Sequence, residues 1–349
     1  MMMSTQTSER RSISRSPRPG RFVRATVFPF LWLSLMGCAY LGNPQAVLKE
    51  MTPNETLPLA WRMSGGEGAE LYVLGAIQMG PSSGWEYPVG MVAAFEESSA
   101  LVVEVNIHES SPESVQQMLA HYGRLPHGQT LKGSLPPELW NLLSVTLAPT
   151  RIPLPDANRL RPWLLSNVII METLVQNDYF PEQGSAEEFI RRAGDRSIVP
   201  FESPAQQISF LGTLPKRVQE LYLLETLKHY GDPKEGYVGR YVDAWRAGDE
   251  RVLEDLTFED FGEADTFAPF FKTMIYDRSA RLGKELKSLL DAVQHSGESV
   301  FVVVAVSHMI GDRGVAAALK DQGYRVDRVE RSDLRRVTPA AGGSDVPGP

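Results

Sequence analysis

The candidates for chemistry in this sequence are three polar residues. Two of them lie in or beside apolar runs, and the third lies in a helical pattern. Glu104 interrupts the apolar run LVVEV, His308 follows the apolar run VFVVVAV after one serine, and Arg278 lies in a long helical pattern. A carboxylate and an imidazole can bind a transition metal or transfer a proton, and a guanidinium can stabilise a developing oxyanion. These residue types could serve catalysis or ligand binding.

Each candidate also has a purely structural explanation. Glu104 could point to an exposed face or pair with a buried arginine, because a buried carboxylate without a partner is costly. A lone histidine such as His308 is more often a hydrogen-bonded core residue than a ligand. The other histidines show no ligand spacing, although His108 could act as a ligand if the strand of Glu104 ended and turned inward. They are His108, His121, His127, His229 and His295.

Several functions are excluded by motifs and charge. The sequence has no glycine-rich phosphate loop, no G-x-S-x-G or H-E-x-x-H motif and no paired cysteines. The net charge is −8, and because residues 1–37 hold six Arg and one Glu, the remainder carries a net charge of −13. Nucleic-acid binding relies on a basic surface, so we predict no nucleic-acid partner.

Two stretches of similar organisation would position the candidates. Residues 299–330 have the pattern of a strand, a turn, a helix and a strand, and VFVVVAV suits a strand buried on both faces. Residues 70–106 repeat this order, so that GAIQ at 75–78 aligns with AVSH at 305–308. Because α/β sheets usually bind ligands at the carboxyl ends of their strands, we predict two half-domains that meet at a shared cleft.

The rest of the globular part has mainly helical patterns. A hairpin is predicted over residues 59–77, with its turn at 65–68, and the longest helix is predicted over 270–295. A short strand is predicted at 197–201. The predicted fold class is therefore α/β, with small mixed sheets heavily covered by helices.

The amino terminus has the organisation of an export signal. Six arginines precede the apolar segment 25–36, which has signal-peptide length, and Cys38 follows as the only cysteine of the chain. This arrangement resembles a bacterial lipoprotein signal, which implies a lipid on Cys38 and a location at the periplasmic face of the outer membrane. The alternatives are an uncleaved anchor or a secretory peptide with an incidental cysteine. The predicted divisions are a signal peptide (1–37), a tether (38–58), one domain (59–335) and a disordered tail (336–349).

Several ordered blocks of the sequence resemble the TraB/GumN family, which includes the Tiki-type membrane peptidases. Besides the two strand and turn motifs, they are SPAQQISFLGTLPKRVQELYLLETL, WRAGD, DRSARLGKEL and FVVVAVSHMIGDRGVAAALKDQGYRV. The resemblance covers about residues 59–332. It implies a peptidase-like fold that uses a divalent transition metal and is similar to the erythromycin-esterase and ChaN proteins.

The family has two G-x-x-H motifs, a glutamate on the strand after the first motif and an arginine on the long helix before the second. By resemblance, the glutamate corresponds to Glu104, the arginine to Arg278 and the second histidine to His308. The first histidine is replaced by Gln78, and the second motif has Ala305 in place of its glycine. A glutamine carbonyl is a weaker ligand than imidazole for a transition metal, which puts metal binding in doubt.

Two further family positions differ in this chain. The acidic residue that often follows the glutamate two positions later is Asn106 here, and the aspartate that often follows a glycine two positions later is Ala186, after Gly184 and Ser185. These replacements remove acidic side chains, as Gln78 removes an imidazole. All of them weaken the prediction of an active enzyme.

Two functional hypotheses remain. In the first, the protein is a degenerate family member that binds a peptide, a glycan or an envelope protein in the ancestral cleft, where Gly75, Gln78 and Ser307 would contact the ligand. In the second, it is a metal-dependent peptidase with Glu104 and Arg278 as catalytic residues, and with a metal held by His308, Glu104 and Gln78. The glutamine at position 78 favours the first hypothesis.

Overall fold

The computed structural model describes Leu48 and residues 51–65, 70–230, 236–259 and 261–335. In these residues the strands are β1 (Ala60–Ser64), β2 (Leu71–Ala76), β3 (Gly80–Pro81), β4 (Ala100–Val105), β5 (Tyr179–Phe180), β6 (Ser197–Glu202), β7 (Val300–Ala305) and β8 (Arg325–Arg328).

The α-helices of the same residues are α1 (Val89–Glu96), α2 (Pro112–Gly123), α3 (Leu131–Ser134), α4 (Pro137–Leu147), α5 (Leu154–Ala157), α6 (Pro162–Gln176), α7 (Ser185–Ala193), α8 (Pro204–Thr213), α9 (Lys216–Tyr230), α10 (Tyr237–Ala247), α11 (Glu250–Thr257), α12 (Ala264–Phe271), α13 (Asp277–Ser296), α14 (Val306–Met309), α15 (Val315–Asp321) and α16 (Arg331–Leu334). Short 3-10 helices span Ile107–Glu109 and Pro181–Gln183, and a π-helical segment spans Lys272–Tyr276.

Six strands form one mixed sheet in the order β6-β4-β7-β2-β1-β8, and β3 pairs with β5 in a separate ribbon. Strands β6, β4, β7 and β2 are parallel, whereas β1 runs antiparallel to β2 and β8. The predicted hairpin and the α/β fold class are thus confirmed. The two similar stretches do not form separate units, because β2 and β7 are neighbours in the same sheet.

The central strand β7 lies between β4 and β2, which explains why its sequence is apolar without interruption. Phe301 of β7 stacks on Tyr72 of β2 with ring centroids 5.4 Å apart. Phe189 of α7 lies 4.7 Å from Phe301, and Phe95 of α1 lies 5.4 Å from it. Helices α1 and α7 therefore cover this face of the sheet through aromatic contacts.

The longest helix, predicted over 270–295, is confirmed as a continuous helical stretch, but it begins earlier and is not regular throughout. The chain forms α12, then the π-helical segment, and then α13. Pro269 lies inside α12, and because proline has no backbone N–H, it cannot donate the hydrogen bond of a regular helix. The mainly helical character predicted for the rest of the globular part is confirmed. The one-turn helices α3, α5, α14 and α16 were not predicted, because four residues are too few for a periodic pattern.

Among the described residues, none of the helices has both the length and the apolar character required to cross a bilayer. The predicted signal peptide, most of the predicted tether and the predicted tail lie outside the described residues, and so does Cys38. These assignments stay predictions.

Candidate functional site

The carboxyl ends of three adjacent parallel strands bring predicted site residues to one edge of the sheet. Glu104 is the penultimate residue of β4, and His308 lies in α14, directly after β7. Gln78 lies two residues beyond the end of β2. Since β4, β7 and β2 are neighbours, the predicted meeting of strand ends is confirmed.

His308 is buried, and both of its ring nitrogens face polar side chains. Nε2 lies 3.9 Å from Oε1 of Glu104, and Nδ1 lies 3.0 Å from Oγ of Ser279 in α13. Burial lowers the pKa of His308 to about 3, and the nearby guanidinium groups of Arg278 and Arg281 act in the same direction. The imidazole is therefore neutral at neutral pH.

Glu104 is buried at the edge of the sheet where the parallel strands have their carboxyl ends. The alternative that it points to an exposed face is therefore wrong. Burial raises the pKa of Glu104 to about 7; the charge of Arg278 opposes this shift, and that of Glu202 reinforces it. A backbone hydrogen bond from Ala305 also favours the ionised form. The carboxyl group thus changes charge close to neutral pH, in the range suited to acid-base chemistry.

Arg278 belongs to an ion-pair cluster centred on Glu202, the last residue of β6. Nη2 of Arg278 donates to Oε1 of Glu202 at 2.8 Å, and Nη2 of Arg281 donates to Oε2. The guanidinium of Arg278 also lies over Phe210, 5.0 Å from the ring centroid, while its Nε is buried without a hydrogen-bond partner. Glu202 was not predicted, although it directly follows the predicted strand 197–201.

These groups enclose a cavity of about 20 Å³, which is enough for one water-sized group. It is lined by Glu104, Phe201, Glu202, Arg278, Arg281, Leu282, Glu285 and His308. The structure therefore brings together three of the predicted residues, namely Glu104, Arg278 and His308. Gly75, Gln78 and Ser307 are not among the lining residues.

Gly75 has a packing role. An ideal Cβ on Gly75 would lie 3.0 Å from Cγ2 of Val306 and 3.1 Å from the ring of Trp61, which is closer than ordinary contact. Its carbonyl oxygen accepts a hydrogen bond from Nε1 of Trp245 at 2.8 Å. Ser307 is buried next to His308. A ligand contact by Gly75 or Ser307 stays a prediction, and close packing already explains the glycine.

Gln78 lies in a turn held by α7. The N–H of Ile77 donates to Oγ of Ser185 at 3.1 Å, and the N–H of Ser185 donates to the carbonyl oxygen of Ile77 at 2.9 Å. Gly184 packs on this turn so closely that a Cβ would lie 2.8 Å from the carbonyl carbon of Gln78. Gln78 is half-buried, and its role as a ligand stays a prediction.

His108 does not replace the missing histidine in the cavity. The chain leaves β4 through a 3-10 helix, where the side chain of Asn106 accepts a hydrogen bond from the N–H of His108 at 3.1 Å. Nε2 of His108 lies 2.9 Å from Oε2 of Glu187 in α7, and its side chain is largely exposed. Asn106 therefore has a structural function at a position where the family often has an acid.

The donor set of the cavity does not fit a resident metal ion. In the part of the chain that the structure describes, no three His, Cys, Asp or Glu side chains are grouped so that they could hold a metal. Glu202 is occupied by two guanidinium groups and Glu285 is exposed, so Glu104 and His308 are the buried donors that remain, whereas protein zinc sites use three or four ligands.

Comparisons with known proteins agree with the sequence blocks. The model of the TraB/PrgY/gumN family matches residues 59–328 of the chain. The protein named Metalloprotease TIKI1 of Danio rerio is 23% identical over an alignment of 361 residues, which covers 86% of this chain and 70% of that protein. The protein named Metalloprotease TIKI homolog of Amphimedon queenslandica is 32% identical over 78 residues, which covers 22% of this chain and 15% of that protein. No solved structure matches the chain.

Proposed function

The chain belongs to the TraB/PrgY/gumN family, and we propose that it is a member without a resident metal that binds a peptide, glycan or protein ligand in the cell envelope. The observation that carries this proposal is the donor set of the cavity, where Glu202 is paired with two guanidinium groups, Glu285 is exposed, and one imidazole and one buried carboxyl group remain. Such a set is suited to hydrogen bonding with a polar ligand and is poor as a ligand shell for a cation.

The polar groups of the cavity could recognise a ligand in distinct ways. Glu104 offers a carboxyl group that is neutral or charged near neutral pH, and His308 offers a neutral imidazole. Arg278 keeps a buried N–H of Nε without a partner. Because unpaired buried donors are costly, a ligand oxygen that accepted this hydrogen bond would gain affinity.

A second candidate function is hydrolysis by a metal-dependent peptidase, as the names of the two relatives suggest for those proteins. The observation that favours it is the convergence of Glu104, Arg278 and His308 on one cavity. The distance of 3.9 Å between Nε2 of His308 and Oε1 of Glu104 is short enough for both to approach a common ion. A third ligand is what this candidate lacks.

We also propose that the mature protein is attached to the membrane by a lipid on Cys38 and faces the periplasm at the outer membrane. The support is the order of basic leader, apolar segment and single cysteine in the sequence. Incorporation of a labelled fatty acid tests this proposal. The label should be lost in Cys38→Ala, and labelling that persists in this variant would refute it.

Metal content tests the two candidate functions. The fragment from Ala39 onward is purified without chelator and measured beside Gln78→His and His308→Ala, with Gln116→His on the exposed face of α2 as a control for adding an imidazole. We expect the parent to be empty and Gln78→His to gain metal more readily than Gln116→His. Near-stoichiometric metal in the parent that His308→Ala removes would refute the first candidate and support the peptidase.

Ligand binding is tested directly with the same fragment on arrays of peptides and envelope glycans. Selective binding should be lost in Arg278→Gln and in Glu104→Ala, because both residues line the cavity. The control is Glu138→Gln, an exposed position in the first turn of α4. Selective binding that is unchanged in both cavity variants would show that the ligand does not use this site.

A further inference from the structure

We propose that Ser279 is a positioning residue that holds the single proton of the His308 ring on Nε2. The inference rests on the proposed function, because it concerns what His308 presents to a ligand in the cavity. Ser279 is the third residue of α13 and only 3% exposed, and its Oγ lies 3.0 Å from Nδ1 of His308. Neither sequence patterns nor the family resemblance indicated this serine.

The contact between Ser279 and His308 permits two arrangements of the proton. A neutral imidazole has one N–H and one lone pair, whereas a hydroxyl group can donate or accept. If the Ser279 hydroxyl donates to Nδ1, then the ring proton is on Nε2. If Nδ1–H donates to Ser279, then Nε2 has the lone pair. The hydrogen bond at one ring nitrogen thus decides whether the other nitrogen is a donor or an acceptor.

The surroundings of Nε2 favour the first arrangement. Nε2 faces Oε1 of Glu104 at 3.9 Å, so when Glu104 is ionised a lone pair on Nε2 would face another acceptor, whereas an N–H would face a carboxylate. Arg278 and Arg281 are nearby donors that would favour the lone pair, but the Nη2 of each is bonded to Glu202, and Nε of Arg278 makes no hydrogen bond to the ring. The attraction between the N–H of Nε2 and Glu104 therefore decides in favour of the tautomer with its proton on Nε2.

This arrangement gives the cavity a donor and an acceptor next to each other. At 3.9 Å they are too far apart for a direct hydrogen bond, and the space of about 20 Å³ accommodates one oxygen that contacts both. A hydroxyl or water oxygen can accept from Nε2–H and donate to Glu104 at the same time. A metal ion cannot bind this form of the ring, because its lone pair is on Nδ1 and directed at Ser279.

Nitrogen NMR of the imidazole tests the proposal. The full chain is labelled with ¹⁵N-histidine, solubilised in detergent and measured with chelator present at about pH 8, where the ring is neutral and Glu104 is mostly ionised. The signals of His308 are identified by their loss in His308→Gln. We expect Nδ1 to give the shift of an unprotonated ring nitrogen and Nε2 that of a protonated one. The reverse pattern in the parent would overturn the proposal, even if no Ser279 variant folds.

Variants of Ser279 separate positioning from mere packing. Ser279→Ala removes the donor to Nδ1 and should shift the signals toward the other tautomer, whereas Ser279→Thr keeps a hydroxyl and should preserve them. Ser288→Ala, at an exposed serine of the same helix, is the matched control. Signals of His308 that are unchanged in Ser279→Ala would refute the role of the serine. Because the chelator removes metal, this failure is distinguishable from failure of the proposed function, which metal content reports separately.

Discussion

The buried carboxyl group of Glu104 should make the stability of the protein depend on pH with a predictable sign. Its pKa is raised from 4.5 to about 7 in the folded protein, mainly by burial. The folded state therefore holds a proton that the unfolded chain releases between these two values, and the free energy of unfolding falls as pH rises through this window. A difference of about 2.5 pH units corresponds to about 3 kcal/mol.

Glu104→Gln removes this titration while keeping the shape and the hydrogen-bonding capacity of the side chain. Relative to the parent, the variant should gain about 3 kcal/mol in free energy of unfolding between about pH 5 and about pH 8. His308 contributes with the opposite sign, because its lowered pKa makes stability rise with pH between about 3 and 6.5. Both proteins contain His308, so its contribution largely cancels in the comparison.

Urea denaturation at several pH values, monitored by tryptophan fluorescence, measures this difference. Glu138→Gln, which removes an exposed carboxylate in the first turn of α4, controls for the loss of one charge from the chain. The reasoning would be refuted if the difference in free energy of unfolding between Glu104→Gln and the parent stayed constant within about 1 kcal/mol from pH 5 to pH 8. It would mean that Glu104 is ionised throughout, stabilised by Arg278 more strongly than burial destabilises it.

Two further predictions concern packing and ion pairs near the site. Gly75→Ala should lower the free energy of unfolding by about 1–3 kcal/mol, because a Cβ would lie 3.0 Å from the Val306 side chain, and no measurable loss would contradict this packing argument. Arg278→Gln should lower the free energy of unfolding by about 3 kcal/mol, since it removes a buried partner of Glu202. Arg281→Gln should lower it less, because Arg281 is 52% exposed. Equal losses in the two arginine variants, measured by urea denaturation, would be inconsistent with this difference in burial.

The strands and their order in the chain could be predicted because local sequence carries their signal. The apolar run at 300–305 and the repeated pattern at 71–76 identify strands buried in a parallel sheet, and the placement of His308 after a strand end followed directly. The ordered blocks indicated the family. The one-turn helices escaped prediction because one turn has no periodicity, and local patterns did not separate the π-helical segment from the α-helices on either side of it.

The amino-acid sequence by itself determined which chemical groups are available: one imidazole and one carboxylate beside strand ends, and a glutamine where the family has a histidine. Only the tertiary structure decided which of them meet. Glu202 and Ser279 enter the site from β6 and α13, far in sequence from His308, and Gln78 stays outside the cavity lining. The physical reason is that strand order and helix packing set distances between remote residues, and pKa values follow from the burial and charges that those distances create.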